Sequence, residues 1–180
     1  MSGDQALTLL GAPNVWSVVT FVTGGVMGFF VKVLAMSASE RSAHKQRLYE
    51  NSNAHKRERE RRYLDYTNAI SAYCLKTDKP TLADFQSVAT TGELYFNELK
   101  IMAAAVLDGR TDPASAKNSF VPDIVEALEK SIPRHYETLK KMADLIGAPY
   151  EGKFKRSNYE VLFAVAEKYA SNRTLPPIGA

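Results

Sequence analysis

Three histidines and a single cysteine are the side chains of this chain best suited to metal binding or nucleophilic catalysis. His44 and His55 are eleven positions apart, so on a helix they share a face but lie too far apart to bind one ion. His135 follows Pro133 closely, and we expect it to be a partly exposed histidine of a helical bundle. Cys74 has no histidine near it in the sequence, which predicts a small buried thiol at a helix end rather than a catalytic dyad.

The motifs of common enzyme classes are missing from the sequence. It contains no Glu-x-x-His pair of the kind used by di-iron bundles, no His-Glu-x-x-His and no nucleophile elbow. The glycines Gly24, Gly25 and Gly28 lie inside an uncharged run, so they do not form a phosphate-binding loop. The sequence therefore predicts no catalytic residue, no metal site and no cofactor, and we expect a protein that is not an enzyme.

The uncharged run from Ala6 to Val31 determines where the rest of the chain is expected to lie. Residues 15–36 would form a helix of roughly 33 Å, which is the thickness of the hydrocarbon core of a bilayer. Lys32 interrupts the run near its end, where a long cationic side chain can reach the headgroups. We predict a transmembrane helix over residues 15–36.

Three other interpretations of this run are less favourable. A buried helix of a soluble core would be weakened by about 1 kcal/mol at each of its three glycines relative to alanine. A cleaved secretory signal, with Ala35-Met36-Ser37 as a loose cleavage site, needs a cationic start, whereas Asp4 is the only charged side chain before Lys32. A re-entrant or interfacial segment would carry a polar face, and this run offers only serine and threonine.

The distribution of positive charge predicts the orientation of the span. Lysine and arginine are absent before it, which places residues 1–14 outside and the C-terminal domain in the cytoplasm of a single-pass protein of the cell membrane. The lone cysteine agrees with a reducing compartment. The cations that follow are predicted to contact the membrane surface or a partner: Lys32, Arg41, Lys45, Arg47, Lys56, Arg57, Arg59, Arg61 and Arg62.

This basic excess favours an anionic lipid surface as the partner of residues 37–62. Nucleic acid is an unlikely partner, because Glu58 and Glu60 are interleaved with the cations and can pair with Arg61 and Arg62 along a helix.

A stripe of small residues is the second feature of the span. Ser17, Thr20, Gly24 and Gly28 follow one another at helical spacing and would allow a second transmembrane helix to approach closely. This pattern predicts a helix–helix interface in the membrane, with self-association or a foreign helix as the two possibilities.

The remainder of the chain has the periodicity of helices only, and we predict an all-α protein. Residues 37–62 are too polar to bury a face and are expected to form an exposed, basic helical stalk. Residues 63–173 are expected to form a cytoplasmic antiparallel bundle of four helices, and residues 174–180 an extended tail.

Local signals mark the ends of the bundle helices. Thr81 and Asp84 have the spacing of a capping box, and Gly109 and Gly147 are placed to end helices. The apolar period between residues 120 and 146 continues across Pro133, which predicts one kinked helix, with two short helices as the alternative. The last helix is predicted over residues 158–171.

Two classes of function are compatible with these features. The first is a membrane-anchored interaction or assembly module, which self-associates and whose cytoplasmic domain binds protein. The alternative is a membrane-active effector, or an accessory subunit of a larger membrane complex, whose span packs against other transmembrane helices. The size of the detergent-solubilised particle, with and without residues 1–36, would separate them.

Overall fold

The computed structural model describes the backbone of residues 12–169 and the side chains of Val31 and residues 37–169. Over this range the regular structure is entirely helical, which confirms the prediction of an all-α protein. Helix α1 is Ala12–Cys74 and α2 is Leu82–Leu107. A third helical run, α3, covers residues 113–146, and a short 3-10 turn, Arg156–Asn158, leads into α4, Glu160–Tyr169.

Several predictions fall on parts of the chain outside this description. The predicted span, residues 15–36, has helical backbone within α1, but its side chains other than Val31 lie outside the described residues. The same holds for the side chains of the small-residue stripe and of Lys32, and for the tail, residues 174–180. Within the part of the chain that the structure describes, no helix is long and apolar enough to cross a membrane.

The chain forms two compact units, Met1–Gln46 and Arg47–Ala180. The hydrophobic core belongs to the second unit, where α2, α3 and α4 pack on one another with the last part of α1. Its largest fully buried side chains come from α2, from α3, from α4 and from Tyr159 just before α4, and they include Phe96, Phe120 and Phe163. Among the side chains of α1 that the structure describes, Tyr66 is the one buried in this core.

The ends of α2 and α3 follow from local sequence. The Thr81 hydroxyl accepts a hydrogen bond from the Asp84 amide, and the Asp84 carboxylate accepts one from the Thr81 amide, so the predicted capping box is confirmed. Gly147 ends α3 with a φ of 69°, and Gly109 follows α2 with a φ of 67°. Both are left-handed conformations that favour glycine over residues with a side chain.

Helix α3 begins at Pro113 and continues through its two interior prolines because a wider turn precedes each of them. It consists of α-helical Pro113–Ser115, Val121–Glu126 and Ile132–Ile146, joined by the π-helical turns Ala116–Phe120 and Ala127–Ser131. Pro122 and Pro133 have no amide hydrogen to donate to the preceding turn. The amides just before them bond five residues back, from Val121 to Ala116 and from Ile132 to Ala127. A single continuous run is therefore formed, and the alternative of two separate helices was wrong.

The segment predicted as an exposed stalk is only partly exposed. Residues 38–47 are exposed, but Ser52 is buried and its hydroxyl accepts a hydrogen bond of 2.8 Å from the Asp112 amide. The Asn51 side chain donates to the Arg110 carbonyl at 2.7 Å, and His55 Nδ1 lies 3.2 Å from Glu98 Oε1. Packing against the domain thus begins before Tyr63, through polar contacts that hydrophobic periodicity does not detect.

Candidate functional site

The cations predicted to contact a membrane surface or a partner have different surroundings in the structure. Arg41, Lys45, Arg47, Lys56 and Arg57 are exposed, as such a contact requires. Whether they contact a membrane or a partner stays a prediction.

Arg61 and Arg62 both bind Glu58, with their Nε atoms 2.9 Å and 2.8 Å from its carboxylate oxygens. The hydrogen bond from Arg61 is the main reason that the pKa of Glu58 falls to about 2. These two arginines are engaged within their own helix, as the sequence indicated when it placed acids among them.

Arg59 is the cation that turns towards the domain. Its guanidinium forms an ion pair with Asp123 of α3 and lies 3.6 Å from Glu60 Oε1. Its side chain is only 15% exposed, whereas that of Glu60 is 52% exposed. Arg59 therefore joins α1 to α3, a contact that its position within a basic sequence did not reveal.

This ion pair forms part of the wall of a cavity of about 210 Å³ among α1, α2 and α3. We call it the tyrosine–carboxylate cavity; it is lined by Arg59, Glu60, Tyr63, Tyr95, Asp123, Glu126, Ala127 and Ser131. Arg59 and Tyr63 are four residues apart on α1, and Asp123 and Glu126 are three apart on α3, so each helix presents one face to it.

Two tyrosines and three carboxylates give this cavity its chemistry. The Tyr63 and Tyr95 rings lie 5.4 Å apart, tilted by 58°. Tyr95 is 7% exposed, and burial raises its pKa to about 12, while the charges of Arg59 and Glu126 also act on its phenol. A cavity with aromatic rings and an excess of carboxylates is suited to an organic cation.

His135 lies in the core next to this region, and the prediction that it would be partly exposed was wrong. It is fully buried, with its Nδ1 atom 3.0 Å from the Tyr66 hydroxyl. Its ring also packs on Phe96 and lies directly over Gly92, where a Cβ atom would be 2.7 Å from Nδ1. The absence of a side chain at Gly92 is what makes room for the imidazole.

In the part of the chain that the structure describes, the second ring nitrogen of His135, Nε2, is buried without a hydrogen bond. Burial lowers the pKa of His135 to about 4, so the imidazole is neutral at physiological pH. Within residues 37–169 no group of three or more His, Cys, Asp or Glu side chains is arranged to hold a metal ion.

The remaining candidate residues lie apart from the cavity and from one another. Cys74 is exposed, so the prediction of a buried thiol was wrong. It is the last residue of α1, where Ile70 and Tyr73 pack towards the core and Cys74 does not. His55 pairs with Glu98, and His44 is exposed.

The sequence did not point to Tyr95, Asp123 or Glu126 as site residues, because the cavity is assembled from three helices. The available signal was the pair of acids, Asp123 and Glu126, three positions apart in the otherwise apolar stretch of residues 120–128. No protein-family model, curated protein or solved structure matches this chain.

Proposed function

We propose that this protein is a single-pass membrane protein whose cytoplasmic helical domain is an interaction module. In this proposal residues 15–36 span the membrane with the N-terminus outside. The domain of residues 47–169 recognises a partner, and the small-residue stripe of the span supports self-association.

The observation that carries the proposal is the helical backbone of the uncharged run. Helix α1, Ala12–Cys74, contains the whole of residues 15–36. A segment inside a bilayer must satisfy its backbone amides and carbonyls internally, and a helix does so. A predominantly apolar stretch of this length and a helical backbone are the two requirements for a span, and Lys32 is the one charged residue within residues 15–36.

The orientation is supported by the exposed cations after the run. Arg41, Lys45 and Arg47 are exposed, and their chain positions are within about 11 residues of the end of the predicted span, close enough to count in the positive-inside rule. Near an anionic leaflet each such cation contributes about 1 kcal/mol to membrane affinity.

The interaction role is supported by the surface of the domain rather than by its core. Three helices contribute ionisable and aromatic side chains to the tyrosine–carboxylate cavity, and in this proposal the cavity receives a group of the partner. Such a site binds a charged group of a partner by complementary charge.

The membrane part is tested on the full chain with Val22→Arg and Val26→Arg together. Each arginine at the centre of a span costs about 2.5–3.5 kcal/mol of insertion free energy, so the double variant should leave the membrane pellet after carbonate extraction. The matched control is Val22→Leu with Val26→Leu, which keeps the run apolar and should stay in the pellet. Equal extraction of the two variants would overturn the proposed anchor.

A further inference from the structure

We propose that a second cavity, which we call the apolar cavity, is the docking site for residues 174–180 of the same chain, Thr-Leu-Pro-Pro-Ile-Gly-Ala. The proposal concerns the unit Arg47–Ala180 and does not depend on the membrane anchor. It rests on the side chains of the cavity wall, on the place where the described part of the chain ends and on the composition of the residues that follow.

The apolar cavity lies where the end of α2, the start of α3 and the last residue of α4 meet. Its volume is about 380 Å³. Val106 and Val121 belong both to the hydrophobic core and to the cavity wall, so the cavity opens directly onto the core. Pro113 and Ala116 add further apolar surface, and among the described residues of the wall Lys117 is the one with a charged side chain. Such a wall selects an apolar occupant, because burying apolar groups against it removes both surfaces from water.

The described part of the chain ends at this cavity. Tyr169 is the last residue that the structure describes, and its half-exposed side chain is part of the wall. Leu175 follows six residues later and lies at most roughly 20 Å from Tyr169 even when the chain between them is extended. A short tether of this kind gives the attached segment an effective concentration in the millimolar range. Any second copy or foreign partner has to compete with it, which favours the chain's own segment as the occupant.

The composition of residues 174–180 matches the wall. The segment has no charged side chain, and Leu175 and Ile178 flank Pro176 and Pro177. The proline rings fix φ, so the segment loses less conformational freedom when it docks. Proline-containing segments bind characteristically in grooves with aromatic walls, and the ring of Tyr169 provides such a wall.

The experiment is disulfide cross-linking of the full chain in detergent micelles, on a Cys74→Ser background and with a mild oxidant. Lys117→Cys, at the exposed edge of the cavity, is combined with Gly179→Cys, which leaves Leu175 and Ile178 in place. The matched control pair is Lys130→Cys with Gly179→Cys, because the exposed Lys130 lies roughly 20 Å further along α3, within the reach of an extended segment. The bond to position 117 should form about tenfold faster or more than the bond to position 130. Equal rates would overturn the proposal.

Substitutions in the segment test whether its apolar side chains hold it in the cavity. Leu175→Ser together with Ile178→Ser should slow cross-linking to position 117 to the rate of the control pair, because both side chains would lose their apolar contacts. Asn172→Ser together with Thr174→Ser keeps the apolar residues and should leave the rate unchanged. A rate that is the same in both double variants would overturn the proposal.

The remaining outcomes identify a different occupant. Non-reducing gels and mass spectrometry distinguish a bond within one chain from a bond between two chains. The proposal expects the bond within one chain. A bond that forms mainly between chains, one carrying Lys117→Cys and the other Gly179→Cys, would overturn it in favour of a second copy. Slow cross-linking of every pair would overturn it as well and leave the cavity to another partner, whatever the outcome of the membrane extraction.

Discussion

The Tyr66 hydroxyl and the Nδ1 atom of His135 lie 3.0 Å apart in the core and join α1 to α3 across 69 residues of sequence. Both side chains are at least nine-tenths buried, and their rings are also in edge-to-face contact at 5.4 Å. A hydrogen bond in a core is strong because no water competes for it. Burial of the ring disfavours its protonated form, because the added charge would be held away from water and Nε2 has no hydrogen-bond partner among the described residues.

The stability of the domain should therefore fall as the pH is lowered through the range in which free histidine titrates. The pKa of His135 is lowered from 6.5 to about 4, so between these values the unfolded chain binds a proton that the folded chain does not. Stability is then complete above pH 6.5 and decreases towards pH 4, by up to about 3 kcal/mol. Urea unfolding of the full chain in detergent at pH 7 and pH 5 measures the loss.

The exposed His44 provides the control for this pH dependence. His44→Gln should keep the pH dependence of the parent, because His44 is exposed and lies outside the core that surrounds His135. His135→Gln is destabilised at pH 7, but its free energy of unfolding should change less between pH 6.5 and pH 4 than that of the parent. A profile as steep as that of the parent would mean that another group causes the acid sensitivity.

Gly92→Ala should destabilise the domain although alanine is the better helix former. A Cβ atom there would lie 2.7 Å from His135 Nδ1, and the enclosed ring cannot move away. Overpacking costs about 1–3 kcal/mol, which exceeds the gain of about 1 kcal/mol in helix propensity. Thermal unfolding should show a lower Tm, whereas the exposed Thr90→Ala on the same helix should change it little.

Combining Gly92→Ala with His135→Ala tests whether the bulk of the imidazole is the reason that position 92 requires glycine. Removing the ring opens the space that the new methyl group needs, so the double variant should lose less stability than the sum of the single variants. Strict additivity would show that the imidazole does not set the requirement for glycine.

Ser52→Ala should destabilise the contact between α1 and the turn before α3. The Ser52 hydroxyl accepts from the Asp112 amide at 2.8 Å and donates to the Leu48 carbonyl at 2.9 Å. Loss of the acceptor leaves a part-buried amide without a partner, at a cost of about 1–3 kcal/mol. Hydrogen exchange of the Asp112 amide should accelerate. Ser87→Ala, at an exposed serine of α2, should leave stability and exchange unchanged.

Chemical labelling of Cys74 can test the proposed topology. It is the single cysteine of the chain and is exposed, so it reacts without unfolding of the domain. If the domain is cytoplasmic, a membrane-impermeant maleimide should label it only after the cells are permeabilised. Cys74→Ser is the control for labelling of other proteins. Rapid labelling in intact cells would reverse the predicted orientation.

The stripe of small residues in the predicted span should contribute to self-association. Replacing Gly24 and Gly28 together by leucine prevents close approach of two helices, and contacts of this kind are worth about 1–2 kcal/mol. A two-hybrid assay in the membrane should show a partial loss of signal. Replacing Val19 and Val26 by leucine is the matched control, and an equal signal from both variants at matched expression would mean that the glycines are incidental.

Local features of this protein followed from the sequence because their causes lie within one helical turn. The capping box of Thr81 and Asp84 and the stop at Gly147 depend on neighbours three or four residues away. Continuity through Pro133 was also visible, as an apolar period that the proline did not interrupt. The all-helical fold class follows from the same kind of short-range signal.

The environments of Ser52, Arg59 and His135 were decided by tertiary structure. Ser52 finds the Asp112 amide 60 residues away, and Arg59 finds Asp123 on another helix. Whether a histidine is buried, or an arginine contacts another helix, depends on which faces of distant helices pack together. Polar contacts of this kind leave no periodic pattern in the sequence. The cavity and the buried imidazole therefore appear only when α1, α2 and α3 are packed together, because each helix contributes only part of their walls.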